Sequence, residues 1–208
     1  MNENIPLVSV CMITYNHEKY ISESIEGVLM QKTTFPIELI IGEDCSLDNT
    51  RAIVKKFAEK NQDIIVLQLP EKNRGMMTNF LSVIQAAKGK YIAVCGGDDY
   101  WIDPYKLQKQ VDFMEENNNC VMVHTGNDKY NTITQKFKRY DKNISYKNGN
   151  IQKEIFDGTV KIATLTTCFR QNILKNIPFN KFVELKFPIE DWPLWIFIAN
   201  YGTIHYFP

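Results

Sequence analysis

Apolar and polar positions in the first half of the chain alternate between two periods. Residues 7–14 form a nearly continuous apolar run, which is typical of a strand buried on both faces of a sheet. The apolar residues that follow recur at helical spacing, at Ile21, Ile25, Val28 and Leu29. The same change of period repeats along the chain, with a helical pattern after each of the first four predicted strands. We therefore predict further strands at residues 38–42, 64–69, 91–95 and 120–124.

This alternation predicts an α/β fold with an open, mostly parallel sheet flanked by helices, because helical crossovers return each strand to the same direction. The helix before the fifth strand is expected to open at Asp103 as cap and Pro104 in the first turn. In open sheets of this kind, ligands bind beyond the carboxyl ends of the strands. The residues that follow each strand are therefore the candidates for a functional site.

The second half of the chain has a weaker pattern. Residues 125–157 are polar and contain an Asn148-Gly149 turn signal, so we expect a surface insertion or hairpin. Residues 162–169 are predicted to form another strand, and residues 190–201 an apolar helix. A length of 208 residues fits one domain.

Composition excludes several classes of protein. Lys plus Arg number 24 and Asp plus Glu also number 24, and this balance argues against nucleic-acid binding as the main role. The five cysteines are scattered without a CxxC pair, which favours reduced core residues. Neither a signal peptide nor an apolar run of membrane-spanning length is evident, so a cytoplasmic location is expected.

Polar residues follow all of the first four predicted strands. Taken singly, Asn16 or Ser22 could cap the first helix, and Ser46 or Asp48 the second. Their joint placement at one edge of the sheet instead predicts a binding site. The four groups are Thr14-Tyr15-Asn16, Gly42-Glu43-Asp44 with Ser46, Asn73-Arg74-Gly75, and Gly96-Gly97-Asp98-Asp99.

Asp98 and Asp99 are two adjacent carboxylates directly after a buried strand, where they repel one another. A divalent cation such as Mg²⁺ or Mn²⁺ would relieve that repulsion, since it takes carboxylate oxygens together with substrate phosphates. The two preceding glycines would let backbone or ligand approach closely. The alternative interpretation is an exposed acidic turn.

Other strand-end residues have both a binding and a structural interpretation. Asp44 is an acceptor suited to a base-ring N–H or a sugar hydroxyl. Tyr15 offers a stacking face or a partly buried aromatic, and Arg74 a partner for a diphosphate or an ordinary surface charge. No GxGxxG follows the first strand and no GxxxxGK[ST] occurs, which disfavours a dinucleotide site and excludes a P-loop.

Four segments in this order resemble the core of glycosyltransferase family 2, which has the GT-A fold: VSVCMITYNHEKYISESIEGVLMQ, ELIIGEDCSLDNT, KNRGMMTNF and GKYIAVCGGDDYWIDPYKLQKQVDFM. The resemblance implies a Rossmann-like sheet that binds a nucleotide sugar, commonly a UDP-sugar, through residues about 5–124, with the acceptor side at about 125–208. Asp98 and Asp99 match the family's DxD-type motif, which grips the donor diphosphate through Mn²⁺ or Mg²⁺. The expected donor-binding residues are Thr14, Tyr15, Asn16, Asp44, Ser46, Arg74, Gly75 and Asp98.

Glu190-Asp191-Trp192 resembles the family's ED motif, whose Asp is the general base. Inverting transfer needs one carboxylate to take the proton of the acceptor hydroxyl, and the metal stabilises the leaving diphosphate. The alternative is that Glu190 and Asp191 only favour a helix N-terminus. Two departures from the family pattern also matter. A glycine occupies the first acidic position of the DxD motif, which favours Asp99 as the direct metal ligand, and no QxxRW follows, which disfavours processive synthesis.

The predicted function is a metal-dependent, inverting, non-processive transfer of sugar to a saccharide or lipid-linked acceptor in cell-surface polysaccharide or glycolipid synthesis. The alternatives are a nucleotidyltransferase, which would need a Gly-rich basic loop after the first strand, and a non-catalytic nucleotide- or glycan-binding module. Residues 177–188 mix basic and aromatic positions, so peripheral contact with a membrane is a further expectation, beside an ordinary packed loop. Members of the family that the chain resembles usually continue beyond the ED helix into a lid or acceptor-binding tail.

Overall fold

The computed structural model describes residues 5–139, 147–184 and 191–208. Its strands occupy nearly all the positions that the apolar runs predict. The strands are β1 Val8–Thr14, β2 Ile37–Glu43, β3 Ile65–Gln68, β4 Tyr91–Val94, β5 Cys120–Thr125, β6 Lys129–Asn131, β7 Lys136–Lys138, β8 Cys168–Arg170 and β9 Thr203–Phe207. The helices are α1 Ile21–Leu29, α2 Thr50–Lys60, α3 Met76–Ala86, α4 Lys106–Glu116, α5 Gln152–Phe156, α6 Phe179–Glu184 and α7 Asp191–Ile198.

The main sheet has seven strands in the order β3-β2-β1-β4-β8-β5-β9. Its neighbouring strands are parallel except at β8, which runs antiparallel to both β4 and β5. The predicted α/β class with an open, mostly parallel sheet is therefore confirmed. Because β2 and β3 lie on one side of β1 and β4 lies on the other, the order reverses between β1 and β4. Sheets of this kind bind ligands at the carboxyl ends of the strands where the order reverses.

Two layers of helices cover the sheet. Along β2, Leu39 and Ile41 pack into the layer formed with α1, α2 and α4, whereas Ile40 packs into the layer formed with α3, α5, α6 and α7. Successive side chains of a strand point to opposite faces, so a strand between two layers is apolar on both faces rather than at alternate positions only. Each such side chain contributes about 1.5–3 kcal/mol on burial.

Two predicted elements differ from the structure. The strand predicted at residues 162–169 is wrong except at its end: Thr164–Thr166 form a 3-10 turn, and only Cys168–Arg170 pair in the sheet. In this turn the Thr166 hydroxyl donates to the carbonyl of Ala163, and such local bonds compete with a strand.

The helix α4 begins at Lys106 rather than at Asp103 and Pro104. Asp103 does not cap it; its carboxylate accepts the N–H of Tyr105 and pairs with Lys109.

The polar insertion contains the expected hairpin. The strands β6 and β7 pair with each other and are exposed throughout. Asn148-Gly149 lies elsewhere: Gly149 has φ 100 and bridges to Ile204 of β9.

The prediction of reduced cysteines agrees with five free thiols, of which four are buried. Within the described ranges no helix is both long and apolar enough to cross a membrane.

Candidate functional site

The acidic turn at residues 96–99 lies directly against the end of β1. The N–H of Gly97 donates to the carbonyl of Ile13 at 3.0 Å, and the N–H of Asp99 to that of Gly96 at 3.2 Å. A Cβ atom at position 97 would lie 2.5 Å from the Thr14 hydroxyl oxygen, so any side chain there would push the turn off the strand. The Gly-Gly pair thus places Asp98 and Asp99 at the carboxyl ends of β1 and β4.

Burial and charge act together on Asp99. Loss of solvent, and then the neighbouring Asp98 charge, raise the pKa of Asp99 to about 6, and a hydrogen bond with Gly96 opposes them. Asp98 is more open, with 58% of its side chain exposed, and its Oδ2 lies 3.9 Å from Nε2 of His17. The structure therefore places the Asp98 and Asp99 carboxylates close enough to repel one another, as the sequence predicts. Two neighbouring carboxylates of this kind fit a hard divalent cation.

Among the residues that the structure describes, no group of three or more His, Cys, Asp and Glu side chains is arranged to hold a metal ion. Within the described residues, the acidic turn therefore offers a cation two carboxylates and no third protein ligand of these types.

The loops after β1 and β2 are fastened to one another by side chains. The N–H of Asn16 donates to the Ser46 hydroxyl at 2.9 Å, and the N–H of Leu47 donates to the Asn16 side-chain oxygen at 2.8 Å. Asn16 has φ 57, in the left-handed region that Asn tolerates. Neither Asn16 nor Ser46 caps a helix, since α1 and α2 begin after Tyr20 and Asn49. The capping explanation is therefore wrong for both residues.

His17 was not predicted as a site residue from the sequence, although it directly follows Asn16. Its Nδ1 lies 3.2 Å from the Thr14 hydroxyl oxygen, and its backbone N–H donates to the Thr50 hydroxyl at 2.8 Å. With Nε2 facing Asp98, the imidazole links the β1 loop to the acidic turn. His17 could have been predicted as a site residue, because it lies three residues after β1 and ligands bind beyond the carboxyl ends of such strands.

Asp44 is almost completely buried, with 2% exposure. Its two carboxylate oxygens accept the backbone N–H groups of Arg74 and Gly75, each at 2.9 Å. Asn73 also donates its side-chain amide to the Asp44 carbonyl. Asp44 thus brings the loop after β3 to the end of β2, and both carboxylate oxygens already accept backbone donors.

The other predicted donor residues are placed as follows. The Arg74 guanidinium donates to the Ser82 hydroxyl on α3 at 3.2 Å, so it lies along that helix. Tyr15, which directly follows β1, is 40% exposed. Beneath these loops, Glu43 is fully buried and paired with Arg51, a contact that sequence reasoning missed.

Asp191 is the first residue of α7, and Glu190 lies outside the described residues. The Thr164 hydroxyl donates to Asp191 Oδ2 at 2.5 Å, and the N–H of Trp192 donates to Oδ1 at 2.6 Å. Thr164 belongs to a segment fastened to β4, because the N–H of Val94 donates to the carbonyl of Thr167. The structure thus connects Asp191 to the strand that leads into the acidic turn.

The structure describes part of the segment for which membrane contact is expected, at residues 177–184. In α6, Phe182 is buried and its ring packs against Phe179 at 5.7 Å between centroids. The helix therefore turns aromatic side chains to the core, and residues 185–188 lie outside the described residues.

Comparison with known proteins places these features in a family. The model of Glycosyl transferase family 2 matches residues 9–177. TuaG of Bacillus subtilis, named for glycosyl transfer in teichuronic acid biosynthesis, is 36% identical over 139 residues, which is 67% of this chain and 52% of TuaG. The chain covers 31% of the length of a Mycobacterium tuberculosis relative and 66% of that of a Methanocaldococcus jannaschii relative, so it spans only part of these proteins.

Solved structures share the fold. Staphylococcus aureus TarS residues 1–349 with UDP has a TM-score of 0.69 at 20% identity, covering 95% of this chain and 57% of that one. The mannosyltransferase PcManGT of Pyrobaculum calidifontis, with GDP-Man and Mn²⁺, has a TM-score of 0.60 at 16% identity, covering 83% and 47%. These likenesses agree with the GT-A architecture of the described sheet.

Proposed function

Because this chain belongs to glycosyl transferase family 2, we propose that it transfers a sugar from a nucleotide-sugar donor to a saccharide or lipid-linked acceptor. The expected donor is a UDP-sugar. The observation that carries the proposal is the acidic turn, where Asp98 and a partly buried Asp99 are held on the end of β1 at the reversal of strand order. TuaG, named for teichuronic acid biosynthesis, supports a role in polysaccharide synthesis, and the TarS complex with UDP supports the donor.

Residues of four loops would bind the donor. Asn16 and Ser46, already hydrogen-bonded to each other, would form one wall beside Thr14, and Tyr15 would offer its exposed ring to the base. Asp44 would act mainly by holding Arg74 and Gly75 in place. The Arg74 guanidinium would leave Ser82 to pair with the diphosphate, which is a small change for an exposed side chain.

The acidic turn fits Mn²⁺ or Mg²⁺, with Asp99 as the first ligand and Asp98 beside it. Such an ion would complete its shell with donor phosphate oxygens and water, and would supply positive charge that stabilises the leaving diphosphate. The presence of Mn²⁺ with GDP-Man in PcManGT supports this assignment. His17, which faces Asp98, would keep that carboxylate oriented.

Asp191 would act as the general base. Its carboxylate would take the proton of the acceptor hydroxyl while the hydroxyl oxygen forms its bond to the anomeric carbon and the bond to the diphosphate breaks. One base is enough for a single displacement with inversion, because the diphosphate leaves without being protonated by the protein. Glu190 would stand next to this base.

Nucleotide binding tests the donor site. UDP should bind in calorimetry with Mn²⁺ present and bind much more weakly after EDTA, and Asp99→Ala should remove the metal-dependent part. Asp63→Ala, at an exposed position outside the site, is the matched control and should bind as the wild type does. Undiminished Mn²⁺-dependent affinity in Asp99→Ala would refute the metal assignment.

Turnover tests the transferase. Asp191→Asn should reduce kcat by about a thousandfold or more while UDP binding stays within about twofold, because the amide keeps the shape but cannot accept the proton. Asp157→Asn, at an exposed position in the second half, is the control. Equal loss of binding and turnover in Asp191→Asn would remove its role as base, and UDP binding without turnover of any UDP-sugar would favour the binding-module alternative.

A further inference from the structure

The 3-10 turn Thr164–Thr166 is held by the elements that follow the acidic turn. The Trp101 indole N–H donates to the carbonyl of Leu165 at 2.7 Å, and the Gln110 amide donates to that of Thr166 at 2.9 Å. Both side chains are themselves fixed by Lys106, which is 7% exposed. Its Nζ lies 4.2 Å from the centre of the Trp101 ring and 2.9 Å from the Gln110 oxygen.

These contacts join the turn to the loop between β4 and α4 and to α4 itself. A buried ammonium that has a ring and an amide oxygen as its neighbours restrains both, because moving either would leave the charge without compensation. The indole and the amide in turn restrain two successive carbonyls of the turn. The turn is thereby fixed relative to the loop between β4 and α4, and this loop begins with the acidic turn.

The turn contacts Asp191 through one side chain. The Thr164 hydroxyl donates to Oδ2, and the N–H of Trp192 donates to Oδ1. With one donor on each oxygen, the carboxylate is held in one orientation and each oxygen keeps a further lone pair. A hydroxyl that approaches the carboxylate can donate to one of these lone pairs.

We propose that Thr164 is a positioning residue for Asp191, and that the turn held by Trp101, Gln110 and Lys106 sets the orientation of this carboxylate relative to the acidic turn. The proposal rests on the proposed function, in which Asp191 is the base. Small errors in the placement of a reacting group are costly to rate, so a donor that fixes a carboxylate affects turnover more than binding.

Thr164→Val tests the proposal, because it removes the hydroxyl and keeps the shape. We expect kcat to fall by about 10–100-fold, with KM for the donor and the Kd of UDP in Mn²⁺ within about twofold of the wild type. Thr164→Ser keeps the donor and should restore kcat to within about threefold of the wild type. Thr159→Val is the matched control: it deletes an exposed hydroxyl that likewise donates to a carboxylate, that of Asp157, outside this turn, and its kcat should stay within about threefold.

Several results would overturn the positioning role. They are an unchanged kcat in Thr164→Val, an equal fall of kcat in Thr159→Val, and a failure of Thr164→Ser to recover activity. A fall in kcat that follows the melting temperature across the three variants would also show a purely structural effect. An inactive wild type, or a fully active Asp191→Asn, refutes the proposed function itself, whereas an inactive Asp191→Asn beside a fully active Thr164→Val refutes only the role of Thr164.

Discussion

Replacing Asp99 by Asn should stabilise the metal-free protein at neutral pH. The pKa of Asp99 is raised from 3.8 to about 6, chiefly by burial and then by Asp98. Below about pH 4 the carboxyl is protonated in both the folded and the unfolded chain, so it has no effect on stability. As the pH rises to about 6 the unfolded chain loses its proton first, and the free energy of unfolding falls.

The size of the effect follows from the shift. About two pKa units at about 1.4 kcal/mol each give about 3 kcal/mol as an upper limit at pH 7. Partial exposure of Asp99 to solvent reduces this, and we expect a gain of about 1–3 kcal/mol for Asp99→Asn.

Urea unfolding in EDTA measures this gain. Wild type and Asp99→Asn should unfold at the same urea concentration near pH 4, and the variant should be more stable at pH 7 to 8. Asp63→Asn removes the same charge at an exposed position and should show no such divergence. A variant that is no more stable at pH 8, or equally more stable at pH 4, would refute the reasoning from burial and repulsion.

Two further predictions concern residues that hold the site together. Gly97→Ala should destabilise the protein by about 1–3 kcal/mol and weaken UDP binding, because the new Cβ would lie 2.5 Å from the Thr14 hydroxyl oxygen. An unchanged midpoint of urea unfolding would contradict this. Burial lowers the pKa of Lys106 from 10.5 to about 8. Between pH 8 and 10.5 only the unfolded chain keeps the proton, so the free energy of unfolding of the wild type should rise by up to about 3 kcal/mol over this range. Lys106→Met should lack that rise, and parallel pH dependence of the urea midpoints in the two proteins would count against a buried charge.

Much of the fold could be predicted because strands buried between two helix layers carry runs of consecutive apolar residues instead of alternating apolar and polar ones. β4 is apolar throughout, and apolar residues occupy successive positions at residues 10–13 of β1 and 39–41 of β2. Polar residues follow at the ends of these strands. The candidate acidic turn could be recognised for the same reason, since Asp98 and Asp99 directly follow such a run.

What could not be predicted depends on contacts between segments distant in the chain. Residues 162–167 have the composition of a strand, yet hydrogen bonds from Trp101 and Gln110 hold the middle of this segment as a turn. Asp44 has a carboxylate suited to a ligand, but the return of the chain to Arg74 and Gly75 occupies both of its oxygens with backbone donors. Neither contact leaves a local signal in the sequence.

The antiparallel strand β8 also has a consequence for how the chain folds during its synthesis. Its residues leave the ribosome after those of β4 and β5, yet it must insert between them. Until Arg170 has been made, the edge of β4 that pairs with β8 carries unpaired backbone groups, which is the kind of surface that joins other chains. The register of β4 with β8 closes a loop from Tyr91 to Arg170, and a contact of such long range forms slowly. A nascent chain that stalls before this point therefore carries an open sheet that invites aggregation.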